Sequence, residues 1–139
     1  MATFCDEELV FKKDVNPFVF NSADVDPLAI LAVMNSRLVS WLYVNTSSIA
    51  TKDDFRQTTL AELRRLPVPA LGSSRQSASR LAAWAGRLLE LNADAGPSSS
   101  PHDADLRRRE AASIESQIDR LVYELYGLND DEIALVEAG

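Results

Sequence analysis

The chain has 139 residues and a formal net charge of −7 at pH 7, which argues against strong nucleic-acid binding by the chain as a whole. The single cysteine, Cys5, excludes an internal disulfide, and polar residues interrupt the longest apolar stretch, which excludes a membrane-spanning helix. With no secretory signal pattern, these features predict one cytoplasmic domain, or one domain with a helical extension.

The first segment is rich in residues that favour β-strands. The stretches 8–13 and 18–22 hold β-branched and aromatic residues, and Asp14, Asn16 and Pro17 between them are turn formers. We therefore predict a small β element, either a hairpin or two edge strands. Because two strands alone are rarely stable, we expect them to pair with another segment.

A helix is predicted to follow the β element. Asp26 is a good N-cap, Pro27 suits the first helical position, and apolar residues recur at helical spacing up to about Asn45. Residues 46–59 are rich in Ser, Thr and Asp and predict a loop. A short helix over 60–65 and an extended segment over 66–69, which could form an edge strand, complete the first half.

The second half predicts an antiparallel helical hairpin. Ser73 or Ser74 can cap a helix that ends near Ala93, and Ser100 can cap a second helix that ends at Tyr126. Both helices carry apolar residues at a and d heptad positions, and a polar Gly-Pro-Ser linker joins them.

The end of the chain carries clear stop and start signals. Gly127 predicts a left-handed C-cap for the second hairpin helix. Asn129 predicts the N-cap of a short last helix, whose first turn holds acidic residues that favour the helix dipole. The predicted fold class is therefore α+β and mostly helical, with a partial α+β region over 1–72 and a helical hairpin with a C-terminal helix over 73–139.

Charge is distributed unevenly along the chain. Residues 37–90 contain eight basic and four acidic residues, whereas residues 101–139 contain four basic and ten acidic residues. Because affinity for DNA depends largely on neutralising phosphates, any DNA-binding surface is expected in the middle of the chain. The alternative is that these charges only solvate helix faces.

The sequence predicts no active site, metal site or cofactor site. It has no glycine-rich phosphate-binding loop, and Cys5 and His102 are the only residues of their types. The paired acids Asp53 and Asp54 could hold magnesium, but a turn or N-cap role is more typical of such a pair. We therefore expect a protein that is not an enzyme by itself.

Three segments of the chain form a recognisable set: LAILAVMNSRLVSWLYVNTSS (28–48), ATKDDFRQTTLAELRRLPVP (50–69) and QIDRLVYELYGLNDDEIALVE (117–137). Together they resemble the TaqI-like C-terminal specificity domain of bacterial adenine-specific DNA methyltransferases and fused restriction-modification enzymes. The resemblance covers nearly the whole chain from about Val10 onward, and the order and spacing of the segments are more specific than any one of them.

The resemblance implies that the chain recognises a DNA target, while a separate domain transfers a methyl group from S-adenosylmethionine to adenine. The chain has no Asn-Pro-Pro-aromatic catalytic motif, so only the recognition role carries over. By position, the resemblance implies that a DNA-facing role belongs to Arg37, Thr51, Lys52, Arg56 and Gln57. Arginine and glutamine can read base edges, and Lys52 suits a phosphate.

Two hypotheses about function remain open from the sequence. The first is a DNA-target-recognition module that binds duplex DNA and works with a methyltransferase or nuclease subunit or domain. The second is a helical protein-interaction or dimerisation module that docks on a methyltransferase partner, or on a second copy, with little DNA contact. The acidic C-terminal region and the unpaired predicted strands favour the second hypothesis.

Overall fold

The fold is a helical bundle in which the two halves of the chain share one core. The computed structural model describes residues 2–5, 7–8, 10, 15–19, 24–46, 60–93 and 100–139. Its helices are α1 (Pro27–Asn35), α2 (Arg37–Thr46), α3 (Leu60–Leu63), a 3-10 helix (Leu71–Ser73), α4 (Arg75–Ala93), α5 (Pro101–Tyr126) and α6 (Asp130–Ala138). Helix α4 packs between α1 and α5, and α2 packs against α5 and α6.

Small residues allow α1 and α4 to approach each other closely. Ala29 and Ala32 of α1 and Ala82 and Ala85 of α4 are all buried. A Cβ atom added at Gly86 of α4 would lie 3.7 Å from a methyl group of Leu28, which is ordinary van der Waals contact. Leu81, Val33 and Val122 are the largest fully buried apolar residues of the same cluster, which therefore spans both sides of residue 72.

The predicted N-terminal β element is wrong for the part of the chain that the structure describes. Residues 15–19 and the described residues before them form no strand, and the remainder of 8–13 and 18–22 lies outside the described residues. Val10, Phe18 and Val19 are largely exposed. High β propensity produces a strand only where a neighbouring strand and an apolar surface are available, and the described residues provide neither for these side chains.

The segment 66–69 is also not a strand. Leu66 packs against the core, and the hydroxyl of Tyr126 donates a hydrogen bond to the carbonyl oxygen of Pro67. Pro67 and Pro69 lack the N–H groups that a ladder would need. The segment is therefore held by the bundle and not by a sheet, which makes the predicted α+β class an all-helical fold in the described residues.

Ser36 divides the long helix that the sequence predicts over 27–45. Its backbone is extended, with φ −65° and ψ 157°, and the axes of α1 and α2 differ by 60°. The Ser36 hydroxyl donates to the carbonyl oxygen of Val33 at 2.7 Å and accepts from the N–H of Val39 at 3.3 Å. The same side chain thus ends α1 and caps α2, which the apolar spacing alone could not indicate.

Three of the predicted caps of the second half are confirmed, those at Ser100, Gly127 and Asn129. Ser100 accepts a hydrogen bond from the N–H of Asp103, and Gly127 has the left-handed conformation with φ 69°. Asn129 and Glu132 form a reciprocal capping box at the start of α6. Arg87 of α4 contacts Glu110 of α5 near the linker end of the hairpin.

No single helix among those described is long and apolar enough to cross a membrane. The bent pair α1 and α2 meets the length and composition for a span only when the two helices are counted together.

Candidate nucleic-acid interface

Arg37 is the one residue of the predicted DNA-facing set that lies in the described part of the chain. It is the first residue of α2, directly after the break at Ser36. Its backbone N–H donates to Oδ1 of Asp119 on α5 at 2.8 Å, and its Nε lies 3.9 Å from Oδ2 of the same carboxylate. Because its side chain is 55% exposed, the guanidinium is also accessible to a ligand from solution.

Thr51, Lys52, Arg56 and Gln57 lie outside the described residues. Their DNA-facing roles stay predictions, as does that of Arg37.

Asp119 joins the two halves of the bundle. Burial raises the pKa of its carboxyl above the usual value, and the N–H and charge of Arg37 oppose this rise. Tyr123, one turn further along α5, is buried, and its hydroxyl has no hydrogen-bond partner among the described residues. Burial likewise raises the pKa of Tyr123, and the carboxylates of Asp119 and Glu137 add to that rise.

We expect Asp119→Asn to preserve stability and to reduce its pH dependence. The amide oxygen can still accept from the Arg37 N–H, and no buried charge remains. A carboxyl whose folded pKa is raised contributes stability that is complete below its usual pKa of about 3.8 and is lost as pH rises through the folded value. Urea unfolding of both proteins at about pH 4 and about pH 7 should show that the free energy of unfolding falls less with rising pH in the variant than in the unmodified protein.

The matched variant Asp119→Ala removes the acceptor as well as the charge. It should lower the free energy of unfolding by about 0.5–2 kcal/mol, because the first N–H of α2 loses its partner. Equal stability of the Ala and Asn variants would contradict a role for the Arg37–Asp119 hydrogen bond.

Asn35, beside the helix break, binds backbone and is not available as a base-reading group. Its Oδ1 accepts from the N–H of Ala2 at 2.7 Å, and its Nδ2 donates to the carbonyl oxygen of Ala2 at 2.8 Å. Asn35 and Ser36 therefore both bind backbone groups at the helix break.

The arginines differ in whether a carboxylate offsets their charge. Arg87 contacts both Glu90 and Glu110, and both acids raise its pKa, Glu110 most strongly. Arg108 and Arg109 both pair with Asp105 on α5. Arg64, Arg65, Arg75 and Arg80 are exposed and form no ion pair with any acidic side chain that the structure describes.

The sequence-based set of DNA-facing residues omits these four arginines. The signal that could have identified them is the absence of any Asp or Glu from Leu63 to Leu89. A run of 27 residues without a carboxylate is conspicuous in a chain that holds 21 acidic residues.

A metal or nucleophilic centre finds no support in the described residues. No group of three or more His, Cys, Asp or Glu residues there could hold a metal ion. Cys5 and His102 are both exposed. An open groove between α1 and α4 is lined mainly by small side chains and carries no cluster of catalytic groups.

Comparison with known proteins connects the chain to a DNA-modification family. Residues 1–68 match the TaqI-like C-terminal specificity domain. The chain is 35% identical over 127 residues to a protein of Methanocaldococcus jannaschii named "Putative type II restriction enzyme and methyltransferase". That match covers 91% of this chain and 10% of the relative, so the chain corresponds to a small part of the relative's length. No solved structure matches.

Proposed function

We propose, from the match of residues 1–68 to the TaqI-like C-terminal specificity domain, that this chain is a DNA-target-recognition module of a restriction-modification system. The observation that carries the proposal is the family match. The relative supports it, since its name combines a restriction enzyme with a methyltransferase and its similarity to this chain extends beyond residue 68.

In this proposal the chain binds duplex DNA and has no catalytic activity by itself. Methyl transfer to adenine, and any cleavage, belong to a methyltransferase or nuclease domain or subunit with which it works. The described residues offer arginines, amides and hydroxyls, which are groups that bind phosphates and base edges.

The residues proposed to contact DNA are Arg37, Thr51, Lys52, Arg56 and Gln57. Lys52 and Thr51 suit phosphate oxygens, whereas Arg56 and Gln57 can form bidentate contacts with guanine and adenine in the major groove. Arg37 would exchange part of its contact with Asp119 for a phosphate. Its 55% exposed side chain makes that exchange sterically open.

A selection on a labelled duplex pool with a randomised centre tests the proposal. The full 139-residue chain should enrich a short sequence, and its binding should weaken steeply as salt rises. Lys52→Ala should weaken binding to all sequences by a similar factor. Arg56→Ala or Gln57→Ala should relax the preference at one base pair, with a discrimination loss of about 1–3 kcal/mol.

The interaction-module hypothesis makes a different prediction in the same experiment. It is favoured by the exposed apolar side chains near the N-terminus, of which Phe18 and Val19 are 55% and 81% exposed. If the chain enriches no sequence, does not bind duplex at low salt and forms a stable homodimer or a complex with a methyltransferase, the recognition proposal is wrong.

A further inference from the structure

The basic segment, defined here as residues 63–80, is a strongly basic part of the chain that the proposed site does not include. It contains four arginines and no acidic residue. The side chains of Arg64, Arg65, Arg75 and Arg80 are all exposed. Elsewhere in the chain acidic residues prevail, as the net charge of −7 shows. A local positive field on an acidic protein indicates a surface for an anionic ligand.

We infer that the basic segment is a phosphate-binding edge that holds the backbone of duplex DNA, with Arg64 and Arg65 as its main contacts. The inference rests on the proposed function, since it adds contacts with the DNA backbone to a site whose proposed base-reading residues lie in another part of the chain. It concerns affinity and orientation, whereas the proposed function concerns recognition of sequence.

The first support is that no carboxylate whose side chain the structure describes pairs with Arg64 or Arg65. The adjacent pair Arg108 and Arg109, in contrast, shares Asp105, with Arg109 at 2.8 Å. An arginine that already holds a carboxylate must release it before it binds a phosphate. An unpaired arginine keeps its five donors and its full charge for the ligand.

The second support is that the backbone beside these arginines is firmly held. Leu71 is 2% exposed, and Leu66 packs against the core. The hydroxyl of Tyr126 on α5 donates to the carbonyl oxygen of Pro67. The hydroxyl of Ser73 donates to the carbonyl oxygen of Ala70 at 2.6 Å. Two prolines further restrict the chain. A preorganised segment loses less conformational entropy on binding than a loop would lose.

Arg75 and Arg80 are secondary in this arrangement because each has a neighbour that modifies it. Arg75 lines the groove between α1 and α4 together with Asp24 and Asp26, whose charges oppose its own. Arg80 lies over the ring of Trp84, with its guanidinium carbon 4.8 Å from the ring centroid. Stacking fixes its side chain and leaves its edge available for an anion.

The decisive experiment compares two adjacent arginine pairs that carry the same charge. Arg64→Ala/Arg65→Ala and Arg108→Ala/Arg109→Ala each remove two positive charges from the full chain. Binding to a labelled duplex with a randomised centre is measured at several salt concentrations. The first variant should bind at least about 10-fold more weakly, and its salt slope should fall by about 2, while the second should keep the slope of the unmodified protein.

The charge-retaining variant Arg64→Lys/Arg65→Lys should restore most of the slope, since a lysine still neutralises a phosphate. Circular dichroism and urea unfolding of each variant will show that the fold is retained. An unchanged slope for Arg64→Ala/Arg65→Ala, or an equal loss for the Arg108 and Arg109 variant, would overturn the inference.

The outcomes also separate this inference from the proposed function. A slope that depends on Arg64 and Arg65, without enrichment of any sequence, would support the phosphate-binding edge and refute sequence recognition. If a sequence is enriched but the salt slope does not depend on Arg64 and Arg65, sequence recognition is supported and the phosphate-binding edge is refuted. Absence of duplex binding by the unmodified chain would refute both.

Discussion

Leu81→Ala is expected to lower the free energy of unfolding by about 2–5 kcal/mol. Leu81 is fully buried on α4, the helix that packs between α1 and α5, so truncation removes apolar contacts and leaves a cavity in the shared core. Domains of this size have a total stability of about 5–15 kcal/mol, so the loss is a large fraction of the whole. Urea unfolding followed by circular dichroism measures it.

Leu135→Ala is the matched control for Leu81→Ala. It makes the same chemical change in a helix, but Leu135 of α6 is 58% exposed. Its effect should remain within about 0.5 kcal/mol. Similar losses for the two variants would show that α4 does not occupy the centre of the core. A destabilised α4 should also weaken duplex binding, because the basic segment leads into this helix.

Ser36→Ala is expected to cost about 1–3 kcal/mol, the second largest effect. The hydroxyl of Ser36 is both a donor to α1 and an acceptor for α2, and the residue is 2% exposed. Without it, the N–H of the buried Val39 loses a partner at the point where the chain bends by 60°. The free energy of unfolding in urea, with unchanged m value, is the measurement.

Ser40→Ala provides the control for Ser36→Ala. Ser40 lies one turn later on α2 and is exposed. Its removal should change stability by less than about 0.5 kcal/mol. If Ser36→Ala were as stable as Ser40→Ala, the break between α1 and α2 would depend on packing against α4 and α5 and not on the cap.

Structural features whose determinants are local were predictable from the sequence. The caps at Asp26, Ser100 and Asn129 and the stop at Gly127 were predictable, because each depends on residues within a few positions. The family resemblance was also predictable and is confirmed by the match over residues 1–68. The domain boundary at residue 72 stays a prediction.

The local structure was not predictable where the sequence allows two conformations of a residue. Ser36 can continue a helix or cap a new one, and burial of α1 against α4 and of α2 against α5 and α6 selects the second. The predicted strands failed for a related reason. Their side chains favour β structure, but Val10 and Val19 are exposed in the described residues, so no sheet face buries them.

For the candidate site, the sequence by itself determined how much positive charge the middle of the chain carries and where acidic residues are absent. Only the tertiary structure decided which arginines are neutralised. Arg37 forms an ion pair with Asp119, which is 82 positions away, and Arg87 forms one with Glu110, which is 23 positions away. Arg64 and Arg65, in contrast, form no ion pair with an acidic side chain that the structure describes. The physical reason is that the Coulomb energy of an ion pair depends on distance in space, which only packing of the helices sets.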